Sequence, residues 1–110
     1  MKKVTMMKVP VDVIGQSITC HCNMKFVAGS SKFVKFVFKL DDDWKSLTNV
    51  AKFKQGTHTY NQTLDEDYTT FLPSDLTPGM CEMTLYGSGS DGTIATTEVV
   101  TIELVANNII

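Results

Sequence analysis

Two of the three cysteines stand on either side of a histidine, in the stretch Cys20-His21-Cys22. Thiolates and imidazoles bind zinc, and thiolates also do redox chemistry, so this stretch is the first candidate for a reactive site. Zinc-binding cysteines are usually spaced as Cys-x-x-Cys in a turn, and a second ligand pair completes the site. Here the spacing is one residue, and only His58 and Cys81 remain to complete a site.

The residues around this stretch alternate between apolar and polar types. In "SITCHCNMKF" one parity holds Ile18, Cys20, Cys22, Met24 and Phe26. Alternation of period two is typical of a strand with one buried face, because successive side chains point to opposite sides. The pattern predicts one strand over residues 17–27 that buries Cys20 and Cys22 as core anchors and turns His21 to solvent. It predicts no metal site and no cofactor.

Other motifs lack the context that their chemistry needs. "GSGSDG", residues 87–92, matches the glycine pattern of dinucleotide-binding sites, but a β-branched segment follows it where a helix is required. The acidic clusters 41–43 and 65–67 lack the alternating ligands and the glycine of a calcium loop, so we predict solvated turns there. His21 and His58 are the candidate bases, and neither stands in a nucleophile motif. We therefore expect no enzymatic activity.

Length and charge narrow the class of protein further. The 110 residues correspond to a single domain, residues 1–110. Ten lysines, no arginine and twelve acidic residues give a net charge of −2, so we expect no nucleic-acid partner. No apolar run approaches the length of a membrane span or forms the core of a signal peptide. This favours synthesis in the cytoplasm, reduced cysteine thiols and no membrane partner.

Period two continues along most of the chain and predicts the fold class. About eight short strands, with turn signals every 8–12 residues, are typical of an all-β fold, and we predict an immunoglobulin-like antiparallel β-sandwich. The first strand is interrupted by Pro10, which suits a sheet edge. In "SKFVKFVFKL" one face holds Val34, Phe36, Phe38 and Leu40.

Three local features of the predicted strands are specific enough to check. "DDDWKSL" predicts one helical turn that carries Trp44 inward, and Trp44 and Phe53 are expected to anchor the core. "NVAKFK" and "HTYNQTL" predict a hairpin across Gln55-Gly56. The last segment, "TIATTEVVTIELV", predicts a long strand with a bulge near Glu98.

From residue 33 to residue 105 the chain resembles a family of phage proteins. The matching features are the aromatic strand that ends at Phe38, the acidic turn before Trp44, Leu47, Phe53, Leu72-Pro73, Leu76, Gly79, Leu85-Tyr86-Gly87 and Thr96-Thr97. In this order they resemble the N-terminal β-sandwich domain of baseplate upper proteins and related minor structural proteins of tailed phages of Gram-positive bacteria. These are core and turn positions, so the resemblance bears on fold and lineage more than on a site.

The resemblance implies a non-enzymatic virion structural protein, made in the host cytoplasm, that acts by packing on other virion proteins or on a second copy. Because the sequence ends at Ile110 without a receptor-binding region, it is either an excised anchoring domain or a small virion protein. A place in the tail or baseplate and a role in capsid decoration are both open. The expected docking elements are the strand before Pro10 and the apolar tail Asn107, Asn108, Ile109 and Ile110; alternatively, this tail folds back onto its own core.

Two other functions fit the same sequence. A small phage-encoded inhibitor of a host defence or host enzyme could use the acidic turns 41–43 and 65–67 to enter a basic groove. A carbohydrate-binding module could use Trp44 or the tyrosines as a stacking surface, although the pattern places Trp44 in the core.

Overall fold

The computed structural model describes residues 7–22 and 25–106, which form ten strands and one short helix. In chain order these are β1 (Met7–Ile14), β2 (Ser17–Cys20), β3 (Phe26–Val27), β4 (Val34–Leu40), α1 (Asp42–Lys45), β5 (Thr48–Gln55), β6 (His58–Thr63), β7 (Thr69–Phe71), β8 (Gly79–Ser88), β9 (Ile94–Thr96) and β10 (Val100–Val105). One sheet has the order β2-β1-β4-β7, and the other has the order β3-β10-β8-β5-β6 with β9 beside β8. The predicted all-β, sandwich-like fold is confirmed. No helix in this part of the chain could cross a membrane.

A single core lies between the two sheets. Along β4 every second side chain is buried, as the alternation predicted. The ring of Phe36 in β4 lies 5.7 Å from the ring of Phe26 in β3 and 5.7 Å from that of Phe53 in β5, measured between centroids. Because the two partners belong to the opposite sheet, these rings join the layers. Burial of each such side chain is worth about 1.5–3 kcal/mol.

Both sheets are mixed, so the prediction of a purely antiparallel sandwich is wrong for two strand pairs. β1 runs parallel to β4, with Met7 opposite Val34 and Val13 opposite Leu40. β3 runs parallel to β10. The apolar period shows which face of a strand is buried, but it carries no signal for the direction of the neighbouring strand. An immunoglobulin-like connectivity stays a prediction.

The segment predicted as one strand over residues 17–27 crosses from one sheet to the other. β2 ends at Cys20 in the four-stranded sheet, and β3 begins at Phe26 in the six-stranded sheet. The N–H of Cys22 donates to the carbonyl of Cys20 at 3.0 Å, which is a tight turn. Alternation continues across the segment because each sheet turns the same parity toward the shared core. The one-strand prediction is therefore wrong, although its buried parity includes the fully buried Phe26.

Pro10 lies in an inner strand, which corrects the prediction of a sheet edge. β1 has β2 on one side and β4 on the other. The carbonyl of Pro10 accepts from the N–H of His21 at 2.9 Å, so the Pro10 nitrogen also points toward β2. β2 ends at Cys20, one residue before that position. The missing N–H of proline therefore falls where the ladder stops and costs no hydrogen bond within it.

The last predicted strand is divided at the predicted bulge. Tyr86 pairs with Thr96, and Met83 pairs with Val100. Between these pairs β8 advances three residues (83 to 86) and the opposite segment four (96 to 100). One extra residue is the signature of a bulge. Thr97 fills the gap, since its hydroxyl accepts from the N–H of Leu85 at 3.0 Å.

Candidate functional site

The Cys-His-Cys stretch contributes to packing and to a surface pair. Cys20 and Cys22 are partly buried against the edge of the core. His21 points outward, and its Nε2 lies 2.7 Å from Oδ2 of Asp12, with both side chains about half exposed. Among residues 7–22 and 25–106, no three His, Cys, Asp or Glu side chains come together closely enough to hold a metal ion.

The thiols of Cys20 and Cys81 are poorly suited to nucleophilic chemistry. Burial, together with the nearby Cys22, raises the pKa of the Cys20 thiol to about 11. Burial, together with Glu82, raises the pKa of Cys81 to about 11 as well. A thiol with such a pKa is protonated at neutral pH and reacts slowly. The second histidine, His58, lies in the other sheet and stacks on Tyr60 with ring centroids 6.4 Å apart.

Trp44 is buried beneath α1 and does not present a stacking surface. Only 3% of the residue is exposed, and its Nε1 donates to the carbonyl of Gly15 at 2.7 Å. Asp41 caps the helix: its Oδ1 accepts from the N–H of Trp44 at 3.3 Å, and its Oδ2 accepts from the N–H of Gly15 at 2.8 Å. Phe53, the other aromatic core anchor, is fully buried in β5.

The acidic clusters form turns stabilised by their own aspartates. Asp65 accepts from the N–H of Asp67 at 3.0 Å and from the N–H and hydroxyl of Thr69 at 3.1 and 2.8 Å. These hydrogen bonds, chiefly those from Thr69, hold the pKa of Asp65 below its ordinary value. Asp91 plays the same part in the glycine-rich tip, where bonds from Thr93 lower its pKa. The glycine pattern therefore spans the end of β8 and the loop that leads to β9, and no helix follows it in the described part of the chain.

The longest edge strand of the two sheets is β6, and its outer edge is an open surface for interaction. β5 and β6 form the predicted hairpin, in which Gln55 pairs with His58 and Gly56 has a positive φ of 61°. On its other side, β6 has no strand partner among the residues that the structure describes. The edge therefore presents backbone N–H and C=O groups to whatever lies beside it.

The other four sheet edges in the described part of the chain are short or bridged. β3 has two residues, and β7 and β9 have three each. β2 has four residues, and the turn before it is bonded to the segment between β9 and β10: the N–H of Glu98 donates to the carbonyl of Gln16 at 2.8 Å, and Gln16 Nε2 donates to the carbonyl of Thr96 at 3.3 Å. Short edges and covered edges are how sandwiches avoid pairing with other chains. β6, with six residues, has neither protection.

The composition of β6 also departs from that of a protected edge. Its sequence, HTYNQT, contains no lysine, no proline, no acidic residue and no glycine. Lysine, proline and bulges are the usual means of keeping an exposed edge from pairing. Threonine and tyrosine, by contrast, favour strands.

A groove of about 500 Å³ runs beside this edge and could receive side chains of a partner. It is lined by Ser31, Lys32, Thr59, Tyr60, Asn61, Gln62 and residues 71–75. The hydroxyl of Thr70 donates to Oε1 of Gln62 at 3.1 Å, which ties the groove's two walls together across the sheets. The groove is polar and open, so it suits a peptide or protein surface more than a buried small molecule.

The sequence did not single out this surface, although it did predict the hairpin that forms it. The available signal was an uncharged run with strand propensity that follows a tight turn. The predicted docking tail, Asn107 to Ile110, lies outside the described residues. The other predicted docking element is in the sheet from Met7 onward, paired with β4.

Comparison of the chain with family models, with curated proteins and with solved structures gave no match. The phage resemblance is therefore a proposal.

Proposed function

We propose that this protein is a non-enzymatic virion structural protein of a tailed phage, an anchoring or decoration module of the tail, baseplate or capsid that acts through protein–protein assembly. The observation that carries the proposal is the open, uncharged edge of β6. An edge strand of this kind binds by adding a partner strand, in which main-chain hydrogen bonds give affinity and neighbouring pockets give specificity.

The chemistry of the chain favours binding over catalysis. His21 follows β2 of one sheet and His58 lies in β6 of the other, and the thiols of Cys20 and Cys81 have raised pKa values. By contrast, the hairpin that carries the β6 edge is firmly held. Phe53 of β5 is fully buried, and Gln55 accepts from the N–H of Thr77 at 2.8 Å and donates to its carbonyl at 2.7 Å. A rigid edge loses little entropy when a partner strand is added.

Within this proposal, β6 replaces the first strand as the docking element. The strand before Pro10 is an inner strand from Met7 onward, so its hydrogen bonds to β4 are already made. The apolar tail 107–110 remains a proposed second contact.

The alternative function, an inhibitor of a host protein, is favoured by one observation. Asp42, Asp43, Glu66 and Asp67 are exposed on two turns, and the side chain of Asp42 is fully exposed. Such carboxylates could face a basic groove of a target. A carbohydrate-binding role is disfavoured because Trp44 is buried.

The experiment that separates these functions is quantitative mass spectrometry of purified phage particles from the source culture. The structural proposal predicts the protein in the particles at a fixed ratio to other virion proteins. Its presence in infected cells but not in particles would contradict the proposal and favour the inhibitor.

A further inference from the structure

We infer that β6 pairs antiparallel with β6 of a second copy, about a two-fold axis at Asn61, so that two six-stranded sheets become one. This inference rests on the proposed assembly function, for which it names a partner. The edge thus has one partner, β6 of a second copy, and one register.

The free edge presents the backbone groups of three residues. In the β5–β6 ladder the N–H of Leu64 donates to the carbonyl of Asn49 at 2.9 Å, so the even-numbered residues turn their backbone groups toward β5. Because N–H and C=O directions alternate along a strand, the groups of Thr59, Asn61 and Thr63 point away from β5. These residues are exposed.

Two-fold symmetry then selects the register. With the axis at Asn61, that residue faces its own copy, and Thr59 faces Thr63 of the second copy. Each is a hydrogen-bonded pair, so all six outward-pointing groups of each copy's three residues gain a partner. A shift of the axis to Thr59 or Thr63 would place part of the strand opposite a turn and leave some of these groups unpaired.

The side chains suit this arrangement on both faces. On the outer face, threonine lies opposite threonine and Asn61 lies opposite Asn61, pairs that can exchange hydrogen bonds across strands. On the inner face, Tyr60 lies opposite Gln62 of the second copy. No charged side chain of β6 meets its own copy, so the symmetric pairing has no like-charge contact along the strand.

Charges at the two ends of β6 are complementary in the antiparallel arrangement. The acidic turn 65–67 follows the strand, and the hairpin end carries Lys54. Antiparallel pairing brings the acidic turn of each copy beside the hairpin end of the other. Such complementarity favours the antiparallel pairing of two copies over a parallel one.

The test is sedimentation equilibrium of the full chain and of Asn61 variants. A single strand pair is smaller than a standard interface, so we expect a weak dimer that forms between about 10 µM and about 1 mM. N61K and N61D each place like charges opposite each other at the axis and should weaken the dimer about fivefold. An equimolar mixture of N61K and N61D should restore association, because opposite charges then meet.

Matched controls locate the contact. N61T keeps a neutral strand former at the axis and should dimerise like the unmodified chain. Val27→Lys places a charge on β3, the opposite edge of the same sheet, and should leave the dimer unchanged. Circular dichroism melting curves should show that all variants are folded.

Three results would overturn the inference: a monomer at about 1 mM, no recovery in the N61K and N61D mixture, or loss of the dimer in Val27→Lys. Particle analysis separates this failure from that of the proposed function. If the chain is monomeric but present in particles, only the inferred β6 pairing is contradicted. If it is dimeric but absent from particles, the proposed virion role is contradicted and the pairing stands.

Discussion

The contact between Trp44 and Gly87 allows a double-mutant test of how α1 packs on the sheet. A methyl group built on Gly87 would lie 2.9 Å from Cζ3 of Trp44 and 2.8 Å from Cδ1 of Leu47. Both distances are shorter than carbon–carbon contact, so β8 has no room for a side chain at this buried position. We predict that Gly87→Ala costs about 1–3 kcal/mol of unfolding free energy, as overpacking does in other cores.

The same geometry predicts the effect of a smaller ring. Trp44→Phe removes the indole N–H that donates to Gly15 and also the part of the ring that lies over Gly87. The lost hydrogen bond is worth about 1 kcal/mol, and the lost contacts bring the total to about 2–3 kcal/mol. Trp44→Ala should cost about 3–5 kcal/mol. In the variant that combines Gly87→Ala with Trp44→Phe, the smaller ring relieves the contact with Trp44 but not the one with Leu47. The two single costs should therefore together exceed the double cost by about 0.5–1 kcal/mol.

Urea unfolding, followed by far-ultraviolet circular dichroism, measures the unfolding free energy of each of these variants. Tryptophan fluorescence cannot serve, because Trp44 is the chain's one tryptophan. Gly79→Ala is the matched control, since Gly79 lies in the same strand and a methyl group there meets no atom within 4 Å. Gly79 has a positive φ of 132°, so Gly79→Ala has a cost in unfolding free energy of its own. That cost should add to the cost of Trp44→Phe within about 0.5 kcal/mol. Additivity of Gly87→Ala with Trp44→Phe would refute the packing described here.

Two further predictions concern titratable groups. Because the pKa values of Cys20 and Cys81 are raised to about 11, both thiols should react slowly with a disulfide reagent at neutral pH, faster as pH rises toward 11, and fast after unfolding; stoichiometric zinc in the purified protein would contradict this. The pKa of Asp65 is lowered by Thr69, so its stabilisation is present above the ordinary value of 3.8 and is lost as pH falls through the lower folded value. Thr69→Val should raise the Asp65 pKa in a carboxyl NMR titration, and an unchanged midpoint would exclude the Thr69 hydroxyl as the cause.

Local patterns predicted the parts of the fold that depend on neighbouring residues. The alternation from Val34 to Leu40, the helical turn at Trp44 and the hairpin at Gly56 all depend on a period or on turn chemistry within a few residues. The bulge near Glu98 was predicted for the same reason. In each case the residues that form the predictive pattern lie within one short stretch of the sequence.

Features that depend on distant pairing were not predictable in this way. The crossing between Cys20 and Phe26 keeps its alternation although it changes sheet, because both sheets bury their side chains in the same core. The parallel pairing of β1 with β4 likewise leaves the apolar period unchanged. Pro10 indicates a position without a ladder hydrogen bond. Such a position occurs both at a sheet edge and beside the end of a neighbouring strand, and the sequence does not distinguish the two.

The same limit explains why the candidate site was missed. HTYNQT would suit an inner strand, where both sides of the backbone are paired, and its lack of charge becomes meaningful only when the sheet order places it at an edge. The structure supplies that order and shows the strand held against β5, whose Ala51 and Phe53 are fully buried. An uncharged strand on so rigid a support can gain hydrogen bonds from a partner strand without first becoming ordered. Function at this edge would therefore depend on backbone direction and register, which short side-chain motifs do not indicate.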